Sequence, residues 1–403
     1  MRAALVCVLV ACGAAQGPGT PATPHVPELP SKGGPAWVEV TSEHFVLWTD
    51  APVGRGRELV REMEHHRQVV LGIALGGAES RAKSFVIALR DAGEVAAYVP
   101  SQFIAYSWGS PTPVWQPIVI VAADTDDHDR HIFTHELTHV ISFAVVPHQP
   151  TWFAEGLAGY FETAQISENR GTVDLGEPLD YIVARLRSQH PTPAATVFAC
   201  NQHACEDDMF YATTWALFSF LVNNHPDQLQ RYMQRLGELP KGQESQAWTE
   251  VFPDLPPDAL DHALAAWLAH GRRMVLHFKL KVTDSTVTDR ALTDADALAT
   301  RALLQWLFSH DASKVQANLD AALAADPTNL VARLTEAATT VAVSVSAARA
   351  TATAHPDDWR AWWLLGFAAQ YGPDAREART RMCALLAGGV PPGAPARLCE
   401  GVR

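Results

Sequence analysis

Two histidines and a glutamate in the segment HELTH have the spacing of a metal site with its own base. His135 and His139 are four residues apart, so on a helix both imidazoles lie on one face and can bind one ion. Glu136 is then adjacent to the metal, where a carboxylate can act as a base. Only about 0.04 matches to this pattern are expected by chance from the His and Glu frequencies. The segment predicts a metal centre; the alternative is a polar stripe on a surface helix.

A catalytic zinc site needs a third protein ligand and an open position for water. Downstream, the segment PTWFAEGLAGYFE predicts a helix that begins at its proline and carries Glu155 one turn from its start. Fifteen residues separate Glu155 from His139. This length allows the first helix to end, a loop to turn at residues 147–150, and a second helix to return across the metal. Glu155 is therefore the candidate third ligand.

In this order, the two segments resemble the gluzincin metallopeptidases, and more closely the bacterial peptidase-MA-like families, in which W-x-x-E-G-L-A-x-Y follows an HELTH helix. The second segment is also similar to the W-L-x-E-G-F-A-x-Y-x-E block of large aminopeptidases. The resemblance implies that His135, His139 and Glu155 are zinc ligands and that Glu136 is the general base. It covers residue 37 to the 270s, with strong motifs only in residues 135–162.

The chain departs from these families in two ways. It has no Gly-x-Met-Glu-Asn strand, with which aminopeptidases capture a free amine, so amino-terminal trimming is unsupported. Thermolysin-like members have an Asp four residues after the glutamate ligand to brace a histidine, but this chain has Gly159 there. Glu162, on the same helical face as Glu155, is the candidate to orient His135; the alternative is a surface carboxylate.

When water attacks the carbonyl group of a substrate, the carbonyl oxygen becomes negatively charged, and a further hydrogen-bond donor to this oxyanion is expected. Related families have a tyrosine at the head of a helix similar to FYATTWAL, which makes Tyr211 the candidate. The alternative is a packed core tyrosine.

Strands and helices must position these residues, and the patterns predict an α+β fold with a small amino-terminal sheet and active-site helices. Strands are predicted in two runs within 37–49 and at 84–89 and 118–123, and helices at 58–75, 132–146, 152–162 and 211–222. The stretch before residue 111 is turn-rich. We expect an edge of the sheet to be formed by the proline-rich residues 111–117 and the strand 118–123, and an extended peptide to bind along this edge by strand addition.

Beyond residue 275 a strand-like segment, HFKLKV, is followed by Ala-rich and Leu-rich helical sequence. ALAADPTNLVA (322–332) and WWLLG (362–366) resemble tetratricopeptide repeats. Their helix junctions at Asp326 and His355 are 29 residues apart, against a typical repeat of about 34. We therefore predict a few degenerate repeats whose helices pack on the catalytic body instead of forming a free-standing solenoid.

Length and composition predict an ordinary globular protein of two domains. The chain has 403 residues, of which 48% are hydrophobic and 19% charged. The predicted domains are a metallopeptidase domain at 37–275 and a helical tetratricopeptide-like domain at 276–403. The formal net charge of −13 speaks against nucleic acid or an anionic membrane surface as the main partner.

The amino terminus has the pattern of an export signal. Arg2 precedes a nine-residue apolar run, which is too short to span a membrane. The segment LVACG resembles a bacterial lipobox, which implies a signal at 1–11 and lipidation of Cys12; the alternative is a plain cleaved signal or a misplaced start codon. Residues 12–36 are predicted to form a flexible linker. The expected location is the bacterial envelope, with membrane contact only through the lipid anchor.

Four cysteines follow the signal and the lipobox: Cys200, Cys205, Cys383 and Cys399. In an oxidising compartment these four cysteines can form two disulfides in three ways. The simplest joins Cys200 to Cys205 and Cys383 to Cys399. The alternative, a four-thiolate zinc site, lacks the short C-x₂-C spacing.

These patterns predict a zinc-dependent endopeptidase acting on peptides or proteins, whose carboxyl-terminal helices hold substrate or a protein partner. The alternative is a lipid-anchored scaffold with an inactive or structural zinc site. Glu136 argues against the scaffold, because a structural site needs no base. Zinc hydrolysis of a non-peptide amide would use the same residues.

Overall fold

A mixed β-sheet with helices on both faces organises the chain into an α+β fold. A computed structural model describes residues 11–15, 23–76, 83–99, 103–108, 118–124, 130–146, 148–167, 169, 171–200, 207–240, 242–270, 274–309, 311–340, 343–386 and 399. The strands are β1 (Ala11–Ala15), β2 (Val38–Thr41), β3 (Phe45–Thr49), β4 (Ser84–Leu89), β5 (Phe103–Trp108), β6 (Ile118–Ala122), β7 (Gln165–Ser167), β8 (Thr172–Leu175), β9 (Leu276–Lys279) and β10 (Thr288–Ala291).

The helices of the first two thirds of the chain are α1 (Val53–Ile73), α2 (Ala92–Ala96), α3 (Arg130–Val145), α4 (Thr151–Phe161), α5 (Asp180–Ser188), α6 (Ala194–Ala199), α7 (Asp208–Asn224), α8 (Pro226–Glu238), α9 (Glu244–Val251) and α10 (Pro257–His270). The carboxyl-terminal helices are α11 (Asp294–Leu304), α12 (Ala312–Ala325), α13 (Leu330–Thr339), α14 (Val345–Ala354), α15 (Trp359–Ala369) and α16 (Gly372–Leu385). A 3₁₀ helix (Pro30–Lys32) and a π-helical turn (Gln305–Ser309) complete the described elements. The helices and strands predicted from sequence are present, with ends shifted by a few residues.

The main sheet of the described residues has seven strands in the order β1-β5-β6-β4-β3-β2-β10. The three central strands β3, β4 and β6 run parallel, and their neighbours run antiparallel. The apolar runs SFVIAL and IVIVA lie in β4 and β6 and are buried on both faces. A parallel sheet needs such cover on both faces.

Each face of the sheet has its own core, because alternate side chains of a strand point to opposite faces. In β4, Val86 belongs to the core shared with α1, α3, α4 and α7. The next residue, Ile87, belongs to the core shared with α2 and the carboxyl-terminal helices. Those helices therefore pack on the sheet, which confirms the prediction that they do not form a free-standing solenoid. The predicted junctions at Asp326 and His355 lie between α12 and α13 and between α14 and α15.

The predicted edge of the sheet is wrong. β6 lies between β4 and β5, because its residues are apolar on both faces and only an interior strand covered by helices can bury both. The preceding residues 111–117 lie outside the described residues. On this side of the sheet the next strand is β5, which lies within the stretch predicted as turn-rich. β1 pairs with β5, and Cys12 lies opposite Ser107.

One of the two predicted disulfides is present in the described chain. Cys383, in α16, is bonded to Cys399. Cys200 is also disulfide-bonded, but its predicted partner, Cys205, lies outside the described residues. Residues 1–10 of the predicted signal lie outside them too. Within the part that the structure describes, no helix is long and apolar enough to span a membrane.

Two buried carboxyl groups lie together where β3 and β4 end. Asp50 follows β3 and is 2% exposed, and Glu94 is 1% exposed in the first turn of α2, just after β4. Burial raises the pKa of Glu94 to about 9, and the charge of Asp50 contributes to this rise. Burial also raises the pKa of Asp50. The pair therefore retains a proton at neutral pH.

This pair makes a prediction for the pH dependence of stability. Both pKa values are higher in the folded protein than in the unfolded chain, so the folded pair binds more protons, and its contribution to the free energy of unfolding falls as the pH rises from about 5 towards 9. We expect Glu94→Gln to reduce this slope by about 1 kcal/mol per pH unit. Denaturant unfolding at several pH values measures this slope, and Glu58→Gln is the control because the Glu58 side chain is exposed. Equal slopes in the variant and the wild type would contradict the prediction.

Candidate metal centre

The HELTH residues lie on α3, which packs against α1, β5 and β6. Leu137, Val140 and Ile141 anchor this helix in the core. Three ionisable residues of the same helix are also buried: His135 is 7% exposed, and Glu136 and His139 are fully buried. Buried ionisable groups are costly unless they are paired or bind a metal, so this placement requires partners for all three side chains.

The ligand candidate Glu155 is placed by α4, which begins directly after Pro150. α4 lies against α7 at Gly156, where an added Cβ would come within 2.6 Å of the Thr214 carbonyl oxygen and 2.9 Å of Phe218 Cβ. Only glycine permits this approach. The close contact fixes Glu155, the preceding residue, at a buried position that is 1% exposed.

Helices α3 and α4 bring the three predicted ligands together. One donor atom from each of His135, His139 and Glu155 lies within 4.8 Å of the others, and all three side chains are buried. His135 Nε2 is 3.2 Å from Glu155 Oε2 and His139 Nε2 is 3.6 Å from Glu155 Oε1. Glu162 Oε2 lies 2.8 Å from His135 Nδ1, where the sequence predicts it. His135 therefore directs its other nitrogen, Nε2, to the cluster.

Several buried polar atoms at this cluster have no hydrogen-bond partner among the described residues. They are both ring nitrogens of His139 and both carboxylate oxygens of Glu136. Each buried polar group left unpaired costs about 1–3 kcal/mol. Two imidazoles and one carboxylate are a donor set typical of a divalent transition metal. The three residues thus form a candidate metal-binding triad, with Glu136 beside it.

The charges of the cluster act on one another. Burial opposes the protonation of His135, but hydrogen bonds to Glu155 and Glu162 raise its pKa well above the ordinary value. Burial opposes the ionisation of Glu155, but His139 and His135 lower its pKa below the usual range. Burial raises the pKa of Glu136, and the two histidines offset this only in part. A carboxylate with a raised pKa is a stronger base than an exposed one.

Two residues on elements that precede α3 in the chain support this helix and were not predicted from sequence. His66, on α1, has its Nε2 2.7 Å from Thr138 Oγ1. Because that hydroxyl donates to the Thr134 carbonyl oxygen, it accepts from His66. Ser107, on β5, lies close enough to lower the pKa of Glu136, although neither oxygen of Glu136 completes a hydrogen bond with it. Both residues are far from α3 in the sequence, so no local pattern indicates them.

Tyr181, the second residue of α5, is a third residue that was not predicted. It is 43% exposed. Burial around its hydroxyl, followed by the charges of Glu162, Asp208 and Glu155, raises its pKa well above the ordinary value. The turn before it is tied to the end of α4, where Thr163 Oγ1 donates to the Glu177 carbonyl oxygen at 2.6 Å. Tyr181 is therefore near enough to the carboxylates of the site for their charges to raise its pKa.

Tyr211, the tyrosine predicted from sequence, lies in the first turn of α7 and is half-buried. α7 packs directly on α4. Tyr181 is one helix further from the triad, because its helix, α5, packs on α7.

Comparison with known proteins gives one family match. No curated protein matches the chain. A family model described as "Protein of unknown function (DUF1570)" matches residues 130–240, a segment that begins with α3 and includes α8. The matched segment contains the whole candidate triad together with Glu136 and Glu162.

Proposed function

We propose that this protein is a zinc-dependent peptidase of the bacterial envelope that cleaves peptide bonds inside a chain. One observation carries the proposal. The carboxylate of Glu136 is buried, and both of its oxygens are free of hydrogen bonds among the described residues. It lies next to a triad whose ligand atoms are within 4.8 Å of one another. Two histidines and one glutamate are a known ligand set of catalytic zinc. A site that only stabilised the fold would need no base.

His135, His139 and Glu155 would hold the ion. When bound, zinc supplies Lewis-acid chemistry, which lowers the pKa of water to ~7 and polarises a carbonyl group. Glu136 accepts the proton of the attacking water and passes it to the leaving amine, and its raised pKa favours the first of these transfers. Glu162 accepts the Nδ1–H of His135 and keeps Nε2 free for the ion.

Tyr181 is expected to donate to the oxyanion, because its phenol is protonated at neutral pH and it is near enough to Glu162 and Glu155 for their charges to act on it. We expect Tyr181→Phe to lower kcat by about 100-fold, with little change in KM, because the donor acts on charge that develops in the transition state. Tyr211→Phe is the matched comparison, since Tyr211 is the candidate from sequence. Steady-state kinetics and zinc content of both variants measure the effect. A larger loss in Tyr211→Phe would assign the donor to Tyr211.

The proposed function is tested with the full chain loaded with one equivalent of zinc and incubated with a diverse peptide library. Mass spectrometry of the products should show internal cuts that are absent from the Glu136→Gln variant and from a chelator-treated sample. Cuts that persist in both controls would come from another protease. A chain that binds zinc but cuts neither library peptides nor unfolded proteins would contradict the proposal.

A lipid-anchored scaffold is the second candidate, and exposed aromatic residues on the carboxyl-terminal helices favour it. Tyr371 is 87% exposed and Phe367 is 38% exposed, the latter stacked on Trp363. Such side chains can contact a protein partner. In bacterial cells, a Glu136→Gln variant that retains full function would support the scaffold, whereas loss of function with normal protein levels would support hydrolysis.

A further inference from the structure

Two buried polar atoms near the metal centre have no partner among the residues that the structure describes. One is a donor, Nε1–H of Trp215 on α7, and the other is an acceptor, Oε1 of Glu162 just after α4. Trp215 is 1% exposed and Glu162 is 7% exposed. Buried tryptophan N–H groups usually find a hydrogen-bond acceptor, and a buried carboxylate needs donors for both of its oxygens. Each atom is the kind of partner that the other requires.

Gly159 shows that these two side chains border the same small space. A Cβ added at Gly159 would lie 3.7 Å from Trp215 Cδ1, the ring carbon bonded to Nε1, and 4.0 Å from Glu162 Oε1. The nearest atoms to this position all belong to Trp215 and Glu162. A direct hydrogen bond or one bridging water across this space would satisfy both the N–H and the carboxylate oxygen.

The other oxygen of Glu162 leads to the metal-binding triad. Glu162 Oε2 accepts from His135 Nδ1 at 2.8 Å, and His135 Nε2 is one of the clustered donor atoms. A carboxylate held at one oxygen can still rotate, and its rotation turns the imidazole with it. A second hydrogen bond at Oε1 would fix the plane of the carboxylate and so the direction of His135 Nε2.

We propose that Trp215 is a positioning residue of the metal centre: its indole N–H, directly or through one water, holds Glu162, which in turn orients His135. Gly159 keeps open the space in which this link forms. The inference rests on the metal-binding part of the proposed function and does not require that the protein hydrolyses peptides.

The first test compares Trp215→Phe with Trp248→Phe in the full chain. Both variants keep an aromatic ring and lose one indole donor, but the Trp248 donor binds the Leu255 carbonyl oxygen, which belongs neither to the triad nor to Glu162. We expect Trp215→Phe to bind zinc about 10-fold more weakly than the wild type, and Trp248→Phe to bind it as the wild type does. Competition with a chromophoric chelator measures affinity, and thermal unfolding after chelation measures the stability of each variant. Equal zinc affinity in Trp215→Phe and the wild type would overturn the proposal.

A double-mutant cycle separates positioning from general packing. In a Glu162→Leu background no acceptor remains for the indole, so Trp215→Phe should cause no further loss of zinc affinity. Additive losses would show that Trp215 acts through packing alone and would overturn the proposal.

Gly159→Ala is a second variant in case Trp215→Phe does not fold. Its methyl group would make ordinary contacts but would enter the space of the link, so weaker zinc binding is expected. Unchanged affinity in Gly159→Ala would count against the link. Because the readout is zinc affinity, a protein that binds zinc without cleaving peptides would contradict only the proposed hydrolysis. A wild-type chain that binds no zinc would contradict both proposals.

Discussion

The Glu136→Gln variant is expected to lose at least about 1,000-fold in kcat, within the range found for general bases, while it binds zinc as tightly as the wild type. Glutamine has the size of glutamate but cannot accept a proton from water. The side chain is fully buried and neither of its oxygens accepts a hydrogen bond within the described chain. The substitution therefore removes the base without removing a contact that holds α3 in place.

Kinetics on a peptide that the wild type cleaves, together with zinc content and thermal unfolding, check this expectation. Glu43→Gln is a matched control, because its carboxylate is 76% exposed. The control should keep its activity, and all three proteins should unfold at similar temperatures. Activity of Glu136→Gln near that of the wild type would show that another group is the base, or that cleavage does not occur at this centre.

The second large effect is expected for Glu155→Gln, which should lower zinc affinity by at least about 100-fold. Loss of a residue that only orients a ligand typically costs about 10–100-fold in metal affinity, and loss of the charged ligand itself should cost more. The carboxylate also lies against both imidazoles of the triad, so its negative charge offsets the positive charge of the ion. An amide oxygen keeps the shape but not the charge.

Zinc titration and thermal unfolding with and without zinc measure this second effect. A ligand that binds only the folded state raises its stability, so zinc should raise the Tm of the wild type and leave that of Glu155→Gln nearly unchanged. Glu162→Gln should fall between the two, because it keeps all three ligands and changes only the partner of His135. Wild-type affinity in Glu155→Gln would place the third ligand elsewhere.

The residues of the triad were predictable because their spacing is local. Residues four apart on a helix share a face, so HELTH alone indicates that His135 and His139 can bind one ion. Glu155 and Glu162 are seven residues apart, two helical turns, so both carboxylates point to the same side of α4. The structure places each of these side chains at the predicted cluster.

The supporting residues were not predictable, because they come from distant elements. His66 contacts Thr138 across 72 positions of sequence, and Ser107 lies on a strand in a stretch that reads as turns. The charges of Glu162 and Glu155 act on Tyr181, and the turn before its helix, α5, is tied to the end of α4. None of these contacts follows from helical or strand periodicity.

The order of the strands also depended on the tertiary structure. The apolar residues on both faces of β6 fit an interior strand, but only the pairing with β4 and β5 decides which strands are its neighbours. The sequence by itself determined the helices and strands with a clear apolar period and the side chains of the candidate metal-binding triad, because helix and strand geometry repeat over a few residues. The tertiary structure decided which strands are neighbours, which distant side chains support the triad, and that the carboxyl-terminal helices cover the second face of the sheet, because these depend on packing between segments far apart in the chain.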